Sequence, residues 1–228
     1  MNDINGDGVV SYLAFGDSIT FGVGDTFFNP PSGYVLRLSE MLGINTDNRG
    51  VPGERLLAGG SARFPSVILS SSADIVGIME GANDAIFRES TTSMHRGYQR
   101  VINVARAAGR QVMLMTLPAP CCERQFLASF TDSYSQAALQ VLTLNEDVRL
   151  VDIRKAWRTT CQNPSQCELY NVPEGLHPNG IGYDVIAQTA AAALLGIDVF
   201  AVDGAHNLES ALGLPAGSVI VRPEVEAQ

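Results

Sequence analysis

Tyr12-Leu13-Ala14-Phe15-Gly16-Asp17-Ser18-Ile19-Thr20-Phe21-Gly22 is the stretch on which the reading of this chain turns. An apolar run ends abruptly at Gly-Asp-Ser, with a further glycine soon after. The pattern describes a buried strand emptying into a tight turn that presents a serine. An open α/β sheet places its ligands at the carboxyl ends of its strands, so Ser18 stands where a nucleophile would stand. A plain strand-to-helix turn, with Ser18 or Asp17 as helix cap, fits the same residues. The rest of the chain has to supply a base and an oxyanion site to separate the two.

Working outward, strand and helix signals alternate. The first strand is expected over Val9 to Phe15, followed by a Gly/Pro-rich loop from Gly22 to Gly33 that carries Phe27 and Phe28. Tyr34, Val35, Leu38, Met41 and Leu42 recur at helical spacing and are closed by Gly43. A short strand near Ile44 leads into a turn-rich loop, Asn48 to Gly53, and then a helical stretch. Ala73 to Met79 reads as a buried strand that empties into Glu80-Gly81-Ala82-Asn83-Asp84. Met94 to Ala108 is a helix stopped by Gly109, Gln111 to Leu117 a strand stopped by Pro118, and Phe126 to Leu144 mostly helix. Val148 to Ile153 is the fifth strand. A long loop then runs to Glu174-Gly175-Leu176-His177-Pro178-Asn179, before an alanine-rich helix from Ile181 to Leu195 with Pro178 near its start. The crossovers are long enough for parallel pairing, so the expectation is one α/β domain over residues 9–196 with helices on both faces of the sheet. Residues 1–8 form a polar lead-in. Residues 197–228 form an extension in which Ser218 to Val221 is a candidate edge strand.

Composition narrows the function classes. Of 228 residues, 46% are hydrophobic, enough for one substantial core. The formal net charge of −9 comes without any Lys/Arg cluster, which argues against a surface that tracks nucleic-acid phosphates. No apolar run approaches the length that spans a bilayer. Asp3, Asn5 and Asp7 imitate the first half of a calcium loop, but its twelfth position is Ala14, inside the first strand, so a polar lead-in is preferred to a metal site. Cys121 and Cys122 are adjacent, and Cys161 and Cys167 flank a polar loop. Neither spacing suits zinc. Because a bond between adjacent cysteines is strained, cross-links between the two loops are expected, one from each pair. Such bonds imply an oxidising compartment, hence a secreted or periplasmic protein whose export signal is absent from this sequence.

In a doubly wound parallel sheet the loops after the strands share one edge. Ser18, Gly53, Asn83 and His177 each follow a strand and would meet there. At this point a resemblance becomes specific. Gly16-Asp17-Ser18, Asn48 through Gly53, Gly81-Ala82-Asn83-Asp84 and Gly175-Leu176-His177-Pro178-Asn179 resemble, in order, the four blocks of the SGNH, or GDSL-type, hydrolase family, over roughly Val9 to Leu195. The resemblance implies a flavodoxin-like three-layer αβα sandwich with a five-stranded parallel sheet. It also implies an oxyanion hole made by the Ser18 and Gly53 N–H groups and the Asn83 amide.

The chemistry follows from those residue types. Ser18 needs a base within hydrogen-bond reach. His177 heads the last helix in this reading, while His95 lies at a helix start and His206 in the extension. The family block has Asp three residues before the histidine, and this chain has Glu174 there. Glu174 is the expected orienter of His177, with Asp152, or a main-chain carbonyl, in reserve. Asp17 is expected to brace the turn. No Walker loop, H-E-x-x-H motif, G-x-S-x-G elbow or G-x-G-x-x-G turn is present, and the mechanism calls for neither metal nor cofactor. The expected function is serine-dependent cleavage of acyl esters. Short-chain esters lead, because Phe27, Phe28 and Phe87 are candidates for an acyl pocket and Trp157 is the sole tryptophan available for sugar stacking. Carbohydrate deacetylation on the same fold, and a non-catalytic carbohydrate-binding or interaction module, are the alternatives. The acidic lead-in and the extension also make a longer multidomain parent conceivable.

Overall fold

The fold is described from a computed structural model covering residues 1–26, 33–161, 163 and 165–223. Five strands, β1 (Ser11–Gly16), β2 (Asn45–Gly50), β3 (Ile75–Met79), β4 (Gln111–Met115) and β5 (Arg149–Val151), form one all-parallel sheet in the order β2-β1-β3-β4-β5. The interior strands are continuous apolar runs because both faces are covered. The helices are α1 (Ser18–Phe21), α2 (Gly33–Leu42), α3 (Ser61–Leu69), α4 (Ala82–Ile86), α5 (Thr91–Ala107), α6 (Ala128–Leu142), α7 (Ile153–Thr160), α8 (Gly180–Leu195) and α9 (Gly204–Leu212). Helices α2, α7 and α8 pack together, and α3, α5 and α6 pack together. That split is what right-handed crossovers from this strand order produce, giving a three-layer αβα sandwich. The chain reverses its direction of travel across the sheet between β1 and β3. In open α/β sheets ligands bind at such a switch point, outside the carboxyl ends of the strands.

Strand β2 departs from expectation. It begins at Asn45 and continues through Asn48 to Gly50, residues expected to form a loop. Its sequence, NTDNRG, is polar and does not alternate, because β2 is an edge strand held by β1 alone. Gly50 is required there: a Cβ would lie 2.2 Å from the Phe21 nitrogen, so α1 rests directly on the end of β2.

Helix α8 explains the carboxyl-terminal extension. Twelve of its sixteen residues are buried, and apolar side chains run all round it, with Asp184, Gln188 and Thr189 as the polar exceptions. A helix apolar all round must be covered on every side. The segment after α9 supplies part of that cover, with Val221 buried. Gln188 of α8 donates to the Ser218 carbonyl and accepts from the Ile220 N–H. Ser218 to Val221 thus lies against α8 as irregular chain and adds no strand to the sheet. At the other end, Asp74 holds the lead-in. One carboxylate oxygen accepts from Ile4 and Asn5, and the other from the Ser11 N–H and hydroxyl. Asp3, Asn5 and Asp7 spend side-chain oxygens on the N–H groups of Gly6, Gly8, Asp7 and Val9.

The cysteines pair locally, correcting the expectation of cross-links between loops. Cys121 bonds Cys122, and Cys161 bonds Cys167 across 5.3 Å between Cα atoms. The adjacent pair is possible because Cys122 adopts a left-handed backbone (φ 55°), a turn that spacing alone does not reveal. A tryptic digest without reduction should therefore release residues 111–124 and 159–228 as separate peptides, each lighter by two hydrogens. A single cross-linked species joining them would contradict this pairing.

Candidate active site

Strand β1 ends at Gly16, and Asp17 then caps α1 by accepting from the Ile19 N–H (2.9 Å). The turn fixes Ser18 at the first position of that helix, 6% exposed, with its side chain at the carboxyl edge of the sheet. His177 comes from the far end of the chain. Its Nε2 lies 2.9 Å from the Ser18 hydroxyl oxygen, although 159 residues separate the two. On the other side of the ring, Nδ1 is 3.2 Å from Glu174 Oε1. The second Glu174 oxygen accepts from the Leu176 and His177 N–H groups at 2.9 and 2.8 Å. With Nδ1–H directed at this carboxylate, the Nε2 lone pair faces Ser18. The extra methylene of Glu is absorbed by the tight 174–177 turn, in which the side chain folds back onto its own backbone.

Asp152, the reserve candidate, is engaged elsewhere. It caps α7 by accepting from Lys155, and it accepts from the Thr116 hydroxyl. His177 itself precedes α8 rather than heading it: Asn179 is the cap, with its side chain accepting from Gly182, and Pro178 lies before the cap. His95 is on α5 and His206 on α9.

Asn171, which no motif singles out, shapes the histidine loop. Its side-chain amide donates toward the carbonyls of Gly24, His177 and Pro178, and its N–H bonds the His177 carbonyl. It thereby ties the loop after α1 to the loop carrying His177. A buried ion cluster reinforces the same junction. Arg37 of α2 bonds both Asp25, beyond α1, and Asp184 of α8 at 2.5 Å.

The expected oxyanion donors converge on the switch point from two sides. Val51-Pro52-Gly53-Glu54 forms a type II turn, closed by the Glu54 N–H on the Val51 carbonyl (3.0 Å). Proline suits its second position, and Gly53, at φ 81°, occupies the third. From the other side, Asn83 on α4 donates one amide hydrogen to the Glu54 carbonyl (2.9 Å), leaving the second available. Asp84 fixes α4 against the following chain by accepting from the Leu56 and Leu57 N–H groups. Asn48 braces β2 against α1 through the Thr20 carbonyl.

Beneath the site lie buried acids. Burial pushes the Asp17 carboxyl up to about 7, against the Ile19 N–H, which pulls it down; the nearby Asp84 and Glu54 raise it further. Phe87, expected near an acyl pocket, is 64% exposed, with the Arg55 guanidinium stacked 4.1 Å from its ring centre. Phe27 and Phe28 lie outside the described residues. Trp157 is buried in α7 against Tyr170, so it offers no sugar platform.

The GDSL-like lipase/acylhydrolase family matches residues 14–185, and the chain belongs to it. It is, by class, a carboxylic ester hydrolase. Solved structures share the fold. An α/β hydrolase, LAE5, from the metagenome of Lake Arreo superposes with a TM-score of 0.70 at 22% identity, over 82% of this chain and 94% of that one. The acetylxylan esterase Axe2 of Geobacillus stearothermophilus does so with 0.70 at 18% identity, over 82% and 94%. The acetyl xylan esterase AlAXEase gives 0.68 at 22% identity, over 81% and 100%. No curated protein matches the sequence.

The two carboxylates should separate cleanly in kinetics. Glu174→Gln removes the acceptor that fixes the imidazole tautomer and should lower kcat by about 10²- to 10⁴-fold. Asp152→Asn should leave kcat within about twofold. Steady-state assays on an activated ester would show the reverse order if Asp152 were the orienter.

Proposed function

We propose that this protein is a serine esterase acting on short acyl esters through an acyl-enzyme on Ser18. The observation that carries the reading is the continuous chain Ser18 Oγ–His177 Nε2 and His177 Nδ1–Glu174. His177 takes the serine proton as Oγ attacks the acyl carbonyl carbon. The carbonyl oxygen becomes an oxyanion, which the Ser18 and Gly53 N–H groups and the free Asn83 amide hydrogen receive. Collapse of the tetrahedral intermediate breaks the ester C–O bond, and the departing alkoxide takes the proton from His177. Water then enters, gives its proton to His177 and attacks the acyl-serine. The second collapse returns the proton to Ser18 Oγ and releases the carboxylic acid. Glu174 stays ionised and stabilises the imidazolium formed in each half. Each oxyanion donor of this kind is worth about 2.7–4 kcal/mol in the transition state.

Carbohydrate deacetylation is the second reading. It is supported by the fold shared with two acetyl xylan esterases. Both readings use the same acyl chemistry and differ in the alcohol that leaves. Work in an oxidising compartment outside the cytosol is part of the proposal, supported by the two disulfides.

The test is direct. A fluorophosphonate should label Ser18, located by mass spectrometry, and Ser18→Ala should lower p-nitrophenyl acetate turnover by at least about 10³-fold. Turnover should fall from acetate through butyrate to octanoate. An unlabelled Ser18 with turnover unchanged in Ser18→Ala would end the esterase reading. Release of acetate from acetylated xylo-oligosaccharides with a higher kcat/KM than from p-nitrophenyl acetate would favour the deacetylase.

A further inference from the structure

Glu80 is a fully buried carboxyl that the mechanism does not use, and it lies where β3 hands over to the segment carrying Asn83. Neither of its oxygens receives a hydrogen bond from any described donor. The group within hydrogen-bonding reach of it is another carboxyl, that of Glu54. Gly60, in the π-helical turn Leu56–Gly60, marks the place: a Cβ built there would sit 3.4 Å from Glu80 Oε1 and 3.6 Å from Glu54 Cδ. Glu54 already has a cation. Arg63 of α3 bonds it through Nε at 2.8 and 3.1 Å and again through Nη2, and also reaches the Arg49 carbonyl. Glu80 has none. The charges of Asp17, from the turn after β1, and Asp84, from α4, also act on it. Tyr98 of α5 donates to the Glu80 backbone carbonyl and leaves its side chain unserved.

Two carboxylates cannot share a buried hydrogen bond unless one of them carries the proton. Glu54, paired with Arg63, is the ionised member, so the proton belongs to Glu80. We propose that Glu80 is a positioning residue, its neutral carboxyl donating to the Glu54 carboxylate and so locking the turn that carries Gly53 against the segment that carries Asn83. The bond runs beside a second one between the same two segments, from the Asn83 amide to the Glu54 carbonyl. Together they fix both outer donors of the oxyanion site from below. Burial, with the repulsion of Asp17 and Glu54, raises the Glu80 carboxyl well above its ordinary range, in keeping with that role.

The proposal rests on the oxyanion reading above, and its test separates the two. Glu80→Gln keeps a donor toward Glu54 and should hold kcat on p-nitrophenyl acetate within about threefold. Glu80→Leu removes the donor and should lower kcat about 10- to 100-fold with KM within about threefold, because an oxyanion donor acts only in the transition state. A thermal-stability series gives a readout independent of turnover. An acid whose folded pKa is raised holds its stability below the unfolded value, about 4.3 for Glu, and loses it as pH climbs above that. The difference in Tm between Glu80→Gln and the parent should therefore grow in favour of the variant from pH 5 to pH 8. A difference that stays flat across that range means an ionised Glu80 and overturns the proposal. So does a folded Glu80→Leu with parental kcat, or a Glu80→Gln that loses kcat. Should Glu80→Leu not fold, the Glu80→Gln kinetics and its Tm series decide alone. A parent without Ser18-dependent turnover would sink the proposed function and leave the shared proton to be judged by the Tm series.

Discussion

The pairing of β1 with β3 is the constraint on which the rest depends. Gly16 lies beside Met79, so the two strands end level, at the point where the chain reverses its direction across the sheet. One strand then releases the serine turn and the other the Asn83 segment, on either side of a single crevice. Strand β2 ends level with them, Gly50 beside Gly16, and delivers the Gly53 turn. Only the histidine needs separate transport, and the loop before α8 brings it back over β1. Tight approach is needed throughout, which is why glycine recurs where α1 lies on the end of β2. The site is thus a property of strand register before it is a property of any side chain.

Several acids lie close to the proposed oxyanion donors. Glu174 is half-exposed, accepts from two backbone N–H groups, and faces an imidazole that gains charge during the proposed reaction. Asp17 and Glu80, by contrast, are buried, and burial together with neighbouring carboxyls raises both above the ordinary carboxylate range. Solvation thus separates the carboxyls, with a part-exposed one beside the base and buried ones underneath.

Much of this was legible in the sequence because each block carries its own local physics. Gly-Asp-Ser is a strand end with a cap, Val-Pro-Gly-Glu encodes a type II turn, and Pro-Asn before Gly180 announces a helix start. Their order along a βα repeat is enough to bring them to one edge. What escaped notice depends on three-dimensional partners. Strand β2 is polar because it is an edge, so its periodicity is silent. The role of Asn171 rests on carbonyls 6, 7 and 147 residues away. The Cys121–Cys122 bond depends on one left-handed residue, and helices α7 and α9 are short. The largely apolar, alanine-rich sequence of α8 is a usable sign that other parts of the chain must cover it. Glu80 could not be distinguished from an exposed loop acid without the burial around it.

The central claim is that Ser18, His177 and Glu174 form an acyl-transfer site whose oxyanion is received by Gly53 and Asn83. A crystal structure of the protein phosphonylated by a p-nitrophenyl alkylphosphonate tests it most directly, since the tetrahedral phosphorus places an oxygen where the oxyanion forms. The account predicts phosphorus bonded to Ser18 Oγ, His177 Nε2 beside the ester oxygens, and the phosphoryl oxygen about 2.7–3.1 Å from the Gly53 nitrogen and Asn83 Nδ2. A phosphoryl oxygen turned to solvent, or phosphorus on a residue other than Ser18, would contradict it.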